Sequence, residues 1–456
     1  MNEEFEKRSK SAIKGWITRR AKQKAKKATE KALKGWDTRR ENQAKEEARA
    51  EKASQTAKKG WETRRENQEK ANKKVKKSTN NVWLNIFVSI LAFVIGFAGV
   101  AFGFCHFTKP TNDVYVSGNL AFHFLELGNE YTGDSTYIKA GDVDILIDAG
   151  SRYGSASTIA NYIDDYVTDG KLEYVIATHA HQDHIAAFCD AGSNGGGILS
   201  RFDIGTIIEF TQTTKTDEPT DDPDDLTAVY LNYVAARDSA VAKGAVVYDA
   251  LECYNNQNGA KRVYELTDNI KMEILYNYYY DHITNDENDY SVCVMFHHGD
   301  DKHFLMTGDL EEHGEEHLVE YYAANHGGLP ECVLYKGGHH GSKTSSTTAL
   351  MEAISPEFIC VCCCAGTTEF GANVGNEFPT QAFIDRIAPH THKVFVTSIY
   401  PDIQALHPTW TMNGNITVTS SKQGVEVHGS NNDTFLKDTD WFRAHRNMPA
   451  AWESLG

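Results

Sequence analysis

Residues 172–184 read "LEYVIATHAHQDH", an apolar-rich run followed by three histidines and an aspartate. The run has the length and composition of a buried strand. A chain leaving that strand and turning into a helix aims His179 and His181 at one point, and Asp183 and His184 at a neighbouring one. Imidazole and carboxylate suit zinc among the divalent metals. Two such ions, about 3.5–4 Å apart, hold a hydroxide nucleophile at neutral pH. The pair also needs a bridging carboxylate. "HFLMTGDLEE" offers one, Asp309, after a second strand and a Thr-Gly turn. "ECVLYKGGHHGSKTSS" offers His339 and His340 after a third.

The rest of the body fits a sheet that gathers such strand ends. "DVYVSGNLAFHFLEL" and "DVDILIDAG" read as strands, and "TIANYIDDYV" as a helix. Strands alternating with helices predict a layered α/β domain. "TDEPTDDPDDL", 216–226, reads as a solvated acidic loop leading into a helix from 224. Of the nine cysteines, four crowd into "CVCCC" at 360–364, and no disulfide framework is visible. Neighbouring side chains on a strand point to opposite faces, so these four cannot share one metal. Buried, reduced core cysteines are expected.

The charge is unevenly divided. Residues 1–80 hold 26 Lys and Arg against 12 Asp and Glu, a balance of +14, which leaves −31 for the remainder of a chain of net charge −17. This basic tail, helical or disordered, repeats "KGWITRR", "KGWDTRR" and "KGWETRR" at 14–20, 34–40 and 59–65. On a helix the two arginines of each unit share a face with its tryptophan and can stack on the ring. That chemistry suits the phosphates of nucleic acid or anionic lipid. The bland alternative, a solvated charged helix, does not account for a threefold recurrence.

"VWLNIFVSILAFVIGFAGVAFGF", 82–104, carries no charge. As a helix it would span about 35 Å, enough to cross a bilayer. Lys73, Lys74, Lys76 and Lys77 flank it on the tail side. The positive-inside rule then predicts a cytoplasmic tail and an extracytoplasmic body. The boundaries expected are a tail over 1–80, a transmembrane helix over 82–105, a catalytic domain over 113–430 and a C-terminal extension over 431–456.

HxHxDH, an Asp after a strand and a His after another, in that chain order, resembles the metallo-β-lactamase superfamily. "LELGNEYTGDSTYIKAGDVDILIDAG", "ATHAHQDHIAA", "NDYSVCVMFHHGDDKHFLMTGDL" and "VLYKGGHHGSKTSS" are similar to the hydrolase domain of ComEC-type DNA-uptake proteins. So are "VGNEFPTQAFIDRI" and "MNGNITVTSSKQG". Relatives of that group include secreted phosphodiesterases and phosphorylcholine esterases.

The resemblance implies an αββα sandwich and a two-ion zinc centre, or manganese in its place. His179 and His181 would hold the first ion, Asp183 and His184 the second, and Asp309 would bridge. His340 would complete the second site. His339 would touch substrate, although the two could be exchanged. Asp148 would orient the cluster by hydrogen bonds. Ser342 and Lys343 would neutralise a phosphate, and Asp183, His339 and Lys343 would be catalytic. The expected function is a membrane-anchored phosphodiesterase or nuclease. Alternatives are a phosphorylcholine-esterase-like enzyme, a lactam or thioester hydrolase, and a non-enzymatic membrane protein whose tail binds anionic surfaces.

The sequence departs from the pattern in three places. No histidine occurs from 185 to 281, so the first ion lacks a third imidazole. His282, His297, His298 and His303 remain, the last three on an expected hairpin where exposure is anticipated. Phe378 stands where a family histidine often precedes the proline. DNA-uptake channels have many membrane helices and this chain one, so the channel role does not transfer.

Overall fold

The computed structural model describes residues 119–453, save 128–130, 194, 216–226 and 368–375. The three tail repeats, the apolar run at 82–105 and the acidic loop at 216–226 lie outside the described residues. Among the described residues no helix is long and apolar enough to cross a membrane.

Two sheets form the centre. The first contains β1 (Leu120–Phe124), β2 (Thr136–Ala140), β3 (Val143–Ile147), β4 (Lys171–Ala177), β5 (Asp203–Glu209) and β6 (Val246–Asp249). The second contains β7 (Val263–Glu265), β8 (Ile270–Ile274), β9 (Val294–His298), β10 (Lys302–Met306), β11 (Leu334–Lys336), β12 (Phe358–Ala365) and β13 (Val394–Ile399). The chain then returns to the first sheet with β14 (Ile416–Ser421) and β15 (Gly424–Gly429). The strand orders are β15-β14-β1-β2-β3-β4-β5-β6 and β13-β12-β11-β10-β9-β8-β7.

Each sheet opens with antiparallel pairs and continues in parallel. β3, β4, β5 and β6 are parallel, as are β10, β11, β12 and β13. Parallel neighbours need crossovers, which here carry helices such as Ser155–Ile163, Glu312–His326 and Thr348–Ile354. The carboxyl ends of parallel strands are where an open sheet leaves room for a site.

Both faces of the second sheet are buried, and its side chains divide between two cores. Val294, Phe296, Phe304, Cys360 and Cys362 enter the inter-sheet core, where Phe122 meets Phe304 at 4.8 Å and Phe296 at 5.4 Å between ring centres. Met295, Leu305, Ile359, Val361 and Cys363 enter the outer core beneath the helices. Double burial is why these strands read as continuous apolar runs rather than alternating ones. The "CVCCC" thiols are buried and outside any disulfide, and Cys360 and Cys363 lie in different cores.

Two expectations are corrected. His297, His298 and His303 do lie on a hairpin, but His298 is buried, with Nδ1 2.9 Å from Ser420 Oγ of the other sheet. Alternation turns it inward, while His297 and His303 pair on the opposite face, 2.8 Å apart through their Nδ1 atoms. The C-terminal segment is no appendage. Trp441, Phe442 and Trp452 are buried in the outer core. Arg446 donates to Pro379 O at 2.8 Å and to Glu377 O at 2.7 Å.

His123 on β1 gives the fold a pH sensitivity. It is buried among Tyr137, Tyr162 and Tyr166, with Nδ1 2.9 Å from Tyr162 Oη. Burial pushes its imidazole down to about 3. The unfolded chain therefore takes up this proton first, and stability present above pH 6.5 is lost as pH falls toward 3. At pH 5 the loss from this one group is about 2 kcal/mol. In urea denaturation, His123→Phe should lose about that much less than the parent between pH 7.5 and pH 5. Equal losses would show that His123 does not set the acid limb.

Candidate metal centre

Three turns bring the donors together. β3 ends at Ile147, and Asp148 follows with φ 58°. Its Oδ1 accepts the Thr178 N–H and its Oδ2 the Thr178 hydroxyl, both at 2.8 Å, which ties the ends of β3 and β4 together. After β4 the chain extends through His179 to His181, which caps the short helix Gln182–Ile185 with φ −73° and ψ 150°. That helix start turns Asp183 and His184 back toward the sheet. Glu287 holds the turn from the other side, accepting Ala180 N–H at 3.0 Å and Thr214 N–H at 2.6 Å.

After β10, Gly308 turns with φ 57°, and a Cβ there would meet Ser291 and Thr178 at about 3.0 Å. The tight turn puts Asp309 against Ser291, whose Oγ accepts the Asp309 N–H at 3.0 Å. After β11, His339 and His340 both adopt the left-handed region, φ 43° and 55°. Such a conformation costs roughly 1–2 kcal/mol per non-glycine residue, strain of the kind that clusters at functional sites.

The imidazoles are fixed by their Nδ1 atoms. His184 Nδ1 lies 2.8 Å from Asp148 Oδ2, and His340 Nδ1 donates to Cys362 O at 2.9 Å. This turns both Nε2 atoms inward. His184 Nε2 is 3.0 Å from Asp309 Oδ2, and His340 Nε2 is 3.3 Å from Asp309 Oδ2 and from Asp183 Oδ2. The last two contacts are not aligned as hydrogen bonds, and His340 Nε2 and Asp309 Oδ1 are buried without a hydrogen-bond partner. Ligand atoms such as these two, converging in a buried space yet left unpaired, fit a cation held between them. His179 and His181 form the adjoining edge, Nε2 to Nδ1 at 3.0 Å.

Four residues, Asp134, His184, Asp309 and His340, bring ligand-type atoms within 4.8 Å of one another. Asp134 nevertheless sits behind the rings. It approaches the Nδ1 atoms, at 3.4 Å from His340 and 3.9 Å from His184, and pairs with buried Lys336. Asp183 faces Nε2 instead, so geometry favours Asp183 over Asp134 as a donor to the centre.

The electrostatics point the same way. The cluster gathers four carboxylates, Asp134, Asp148, Asp183 and Asp309, and one lysine, Lys336, which pairs with Asp134. Burial lowers the proton affinity of His184 and His340, but Asp309 with Asp148 or Asp134 outweighs it and raises both well above the usual imidazole value. Burial raises Asp309, yet the imidazolium charges hold it well below the carboxylate range. Burial keeps His179 and His181 low, hence neutral and ready to donate. The centre thus demands positive charge.

His339 points elsewhere. Its Nδ1 lies 3.0 Å from Glu311 Oε1 and its Nε2 4.0 Å from Asp309 Oδ2. It lines a cavity of about 200 Å³ with Glu311, Ser342, Lys343, Thr344 and Asn376 among others. Lys343 is outside the buried cluster, on the exposed rim, with Nζ 3.1 Å from Asn376 Oδ1. Phe378 stacks on His340 and meets His339 edge-on, with ring centres 6.0 Å apart in both pairs. His282, His297, His298 and His303 do not join the cluster. Sequence reading missed Asp134, Lys336, Glu287 and Glu311. The one available signal was Lys336, a charge closing the apolar run "VLYK" directly before the histidines.

Residues 128–188 match the family model described as the Metallo-beta-lactamase superfamily. A competence protein ComA from Neisseria gonorrhoeae is 36% identical over 100 residues, 22% of this chain and only 13% of that protein. Among solved structures, the metallo-beta-lactamase fold protein YhfI from Bacillus subtilis aligns over 61% of this chain and 97% of its own, at 11% identity and TM-score 0.33. A metallo beta lactamase from Hirschia baltica aligns over 43% and 70%, at 13% identity and TM-score 0.21. Residues 128–188 are thus similar to the metallo-β-lactamase superfamily, and the buried cluster is a candidate divalent-metal site.

The geometry separates the two adjacent histidines. His340→Ala should lose bound metal, measured by elemental analysis of the purified protein. His339→Ala should keep metal and lose turnover. Asp134→Asn should weaken metal binding roughly 10–100-fold, as for a partner that only orients a ligand. Metal loss in His339→Ala with retention in His340→Ala would exchange the roles.

Proposed function

We propose that this chain, similar to the metallo-β-lactamase superfamily over residues 128–188, is a membrane-anchored, metal-dependent phosphodiesterase, with nucleic acid the leading substrate class and a smaller phosphodiester the next. The observation that carries the phosphate reading is the cavity beside His339. It is lined by Lys343 and Ser342 together with His339, whose Nε2 lies 4.0 Å from Asp309 Oδ2. The similarity to a competence protein supports nucleic acid, while the −31 balance of residues 81–456 opposes charge-driven binding of long polyanions.

His179, His181, Asp183, His184, Asp309 and His340 are the proposed ligands. When bound, a divalent cation, zinc or manganese, supplies Lewis acidity and a water acidified to react near neutral pH. Asp148 and the Cys362 carbonyl retain the Nδ1 protons of His184 and His340, so that Nε2 remains the donor. Lys343 and Ser342 hold the phosphoryl oxygens. Asp183 is more solvent-accessible than the others, its side chain 18% exposed against 1–2% for Asp134, Asp148 and Asp309. It is therefore the carboxylate through which the proton shed by the attacking water passes out to solvent, since the imidazoles around it hold its carboxyl well below the usual carboxylate range. As the phosphorus–oxygen bond breaks, His339 Nε2, oriented by Glu311 through Nδ1, delivers a proton to the leaving oxygen. Lys336 keeps Asp134 ionised behind the rings.

The purified protein should hydrolyse single-stranded DNA or a bis-phosphodiester faster than a phosphorylcholine ester, a thioester or a β-lactam. Lys343→Ala should raise KM for the phosphodiester roughly tenfold with a smaller change in kcat. Preferential β-lactam turnover would overturn the phosphate reading.

The tail and the run at 82–105 complete the proposal. Charge asymmetry supports a single-pass anchor with the tail in the cytoplasm and the hydrolase outside. The KGWxTRR units would then face nucleic acid or the anionic inner leaflet. Protease added to intact cells should remove the hydrolase and spare the tail. Replacing Trp16, Trp36 and Trp61 by Ala should weaken binding to anionic vesicles or DNA in steps, with strong salt dependence. Digestion of the tail with protection of the hydrolase would invert the topology.

A further inference from the structure

The loop after the two histidines, Ser342–Ser346, is gripped from behind by one side chain. Arg386, on the helix Gln381–Ile387, donates Nη2 to the carbonyls of Ser342 at 3.3 Å, Lys343 at 3.0 Å and Ser345 at 2.5 Å. Its Nε donates to Ser346 O at 2.9 Å. Four of the loop's five carbonyls therefore point at one guanidinium. The next N–H groups are taken by buried Glu315, whose Oε1 accepts Ser346 N–H at 2.7 Å and Oε2 accepts Thr347 N–H at 2.6 Å. Thr344 N–H turns back to Ser342 Oγ at 3.3 Å.

Two donors are left over among the described residues, the N–H groups of Lys343 and Ser345. In a trans peptide the N–H opposes the preceding carbonyl. With Ser342 C=O aimed at Arg386, the Lys343 N–H points away from Arg386. The loop thus offers a free backbone donor beside the Lys343 ammonium and the Ser342 hydroxyl, at a cavity that also contains His339. Backbone N–H groups turned one way with a cation alongside make an anion cradle. Glu311 stands near, but its Oε1 is occupied by donors from His339, Thr344 and Asn288, which offsets its charge.

We infer that Arg386 is a positioning residue for substrate: by drawing the loop's carbonyls to itself it shapes Ser342–Thr344 into a cradle for the non-bridging oxygens of a phosphate ester. The inference rests on the phosphate-ester reading above. Arg386 touches no substrate itself. A lysine in its place has one short ammonium and cannot span four carbonyls.

The test uses the full-length protein with inorganic phosphate as the probe, followed by calorimetry, alongside steady-state kinetics on a phosphodiester. Arg386→Met should weaken phosphate binding and raise KM roughly tenfold or more. Metal content and kcat should stay close to the parent's, with a modest fall in melting temperature from the lost hydrogen bonds. Arg386→Lys should fall between, and Lys343→Ala should weaken phosphate binding on its own. If Arg386→Met lowers metal content as well as melting temperature while phosphate affinity is unchanged, the role is structural and the inference is wrong. Tight phosphate binding that is equal in parent and both Arg386 variants would overturn it while leaving the phosphate-ester reading intact. A parent that neither binds phosphate nor cleaves the diester would overturn both.

Discussion

Asp309 is the contact on which the site depends. Its carboxylate is buried within reach of His184, His340 and His339, three imidazoles from two separate turns. A buried carboxylate without positive partners would be strongly unfavourable. Asp134, Asp148 and Asp183 enlarge the imbalance, and Lys336 offsets only one charge. The centre therefore stays compact only when cations, protons or metal, occupy the space between the carboxylates. Metal uptake at such a centre must displace protons from imidazole, so it couples to pH.

The sheets hold this charge in place because the donors are attached to strand ends. β3 and β4 fix Asp148 and the histidine turn, while β10 and β11 fix Asp309 and the two later histidines. Parallel pairing within each sheet puts those ends on one edge. The inter-sheet core, through contacts such as Phe122 with Phe304, sets the distance between the two edges. Mutations far from the metal in this core would move donors relative to one another. The outer core, including Trp441 and Trp452, does the same for the cavity wall, because Arg446 anchors the backbone at Glu377 and Pro379 on either side of Phe378.

Around the charged centre lies a layer of residues whose work is orientation. Asp148, Cys362 O, Glu287 and Glu311 each bond a turn or an imidazole that would otherwise rotate. Arg386 and Glu315 grip the loop after His340 from its carbonyl and its N–H side. Such partners decide which nitrogen faces the metal and which face of a loop meets solvent. They come from helices and loops remote in sequence from the histidines they serve.

Much of this protein was legible in its sequence because the relevant signals are local. The histidine cluster sits at a strand-to-helix turn whose apolar run and polar break are contiguous. The doubly buried strands announce themselves as unbroken apolar runs. The layered α/β architecture follows from the order of those elements, and its two sheets are mixed as the resemblance carried by HxHxDH, Asp309 and HHGS implies. Tertiary structure alone decided the rest. The sequence could not show that His298 faces inward, since period-two alternation gives two faces without saying which is buried. It could not show Asp134 and Lys336 paired behind the rings, 202 positions apart. Nor could it show that residues 436–453 complete the outer core, or that Arg386 reaches back across 40 residues to the loop beside the histidines. Burial and pairing across such separations depend on how the sheets close, and no local pattern of residues encodes that distance.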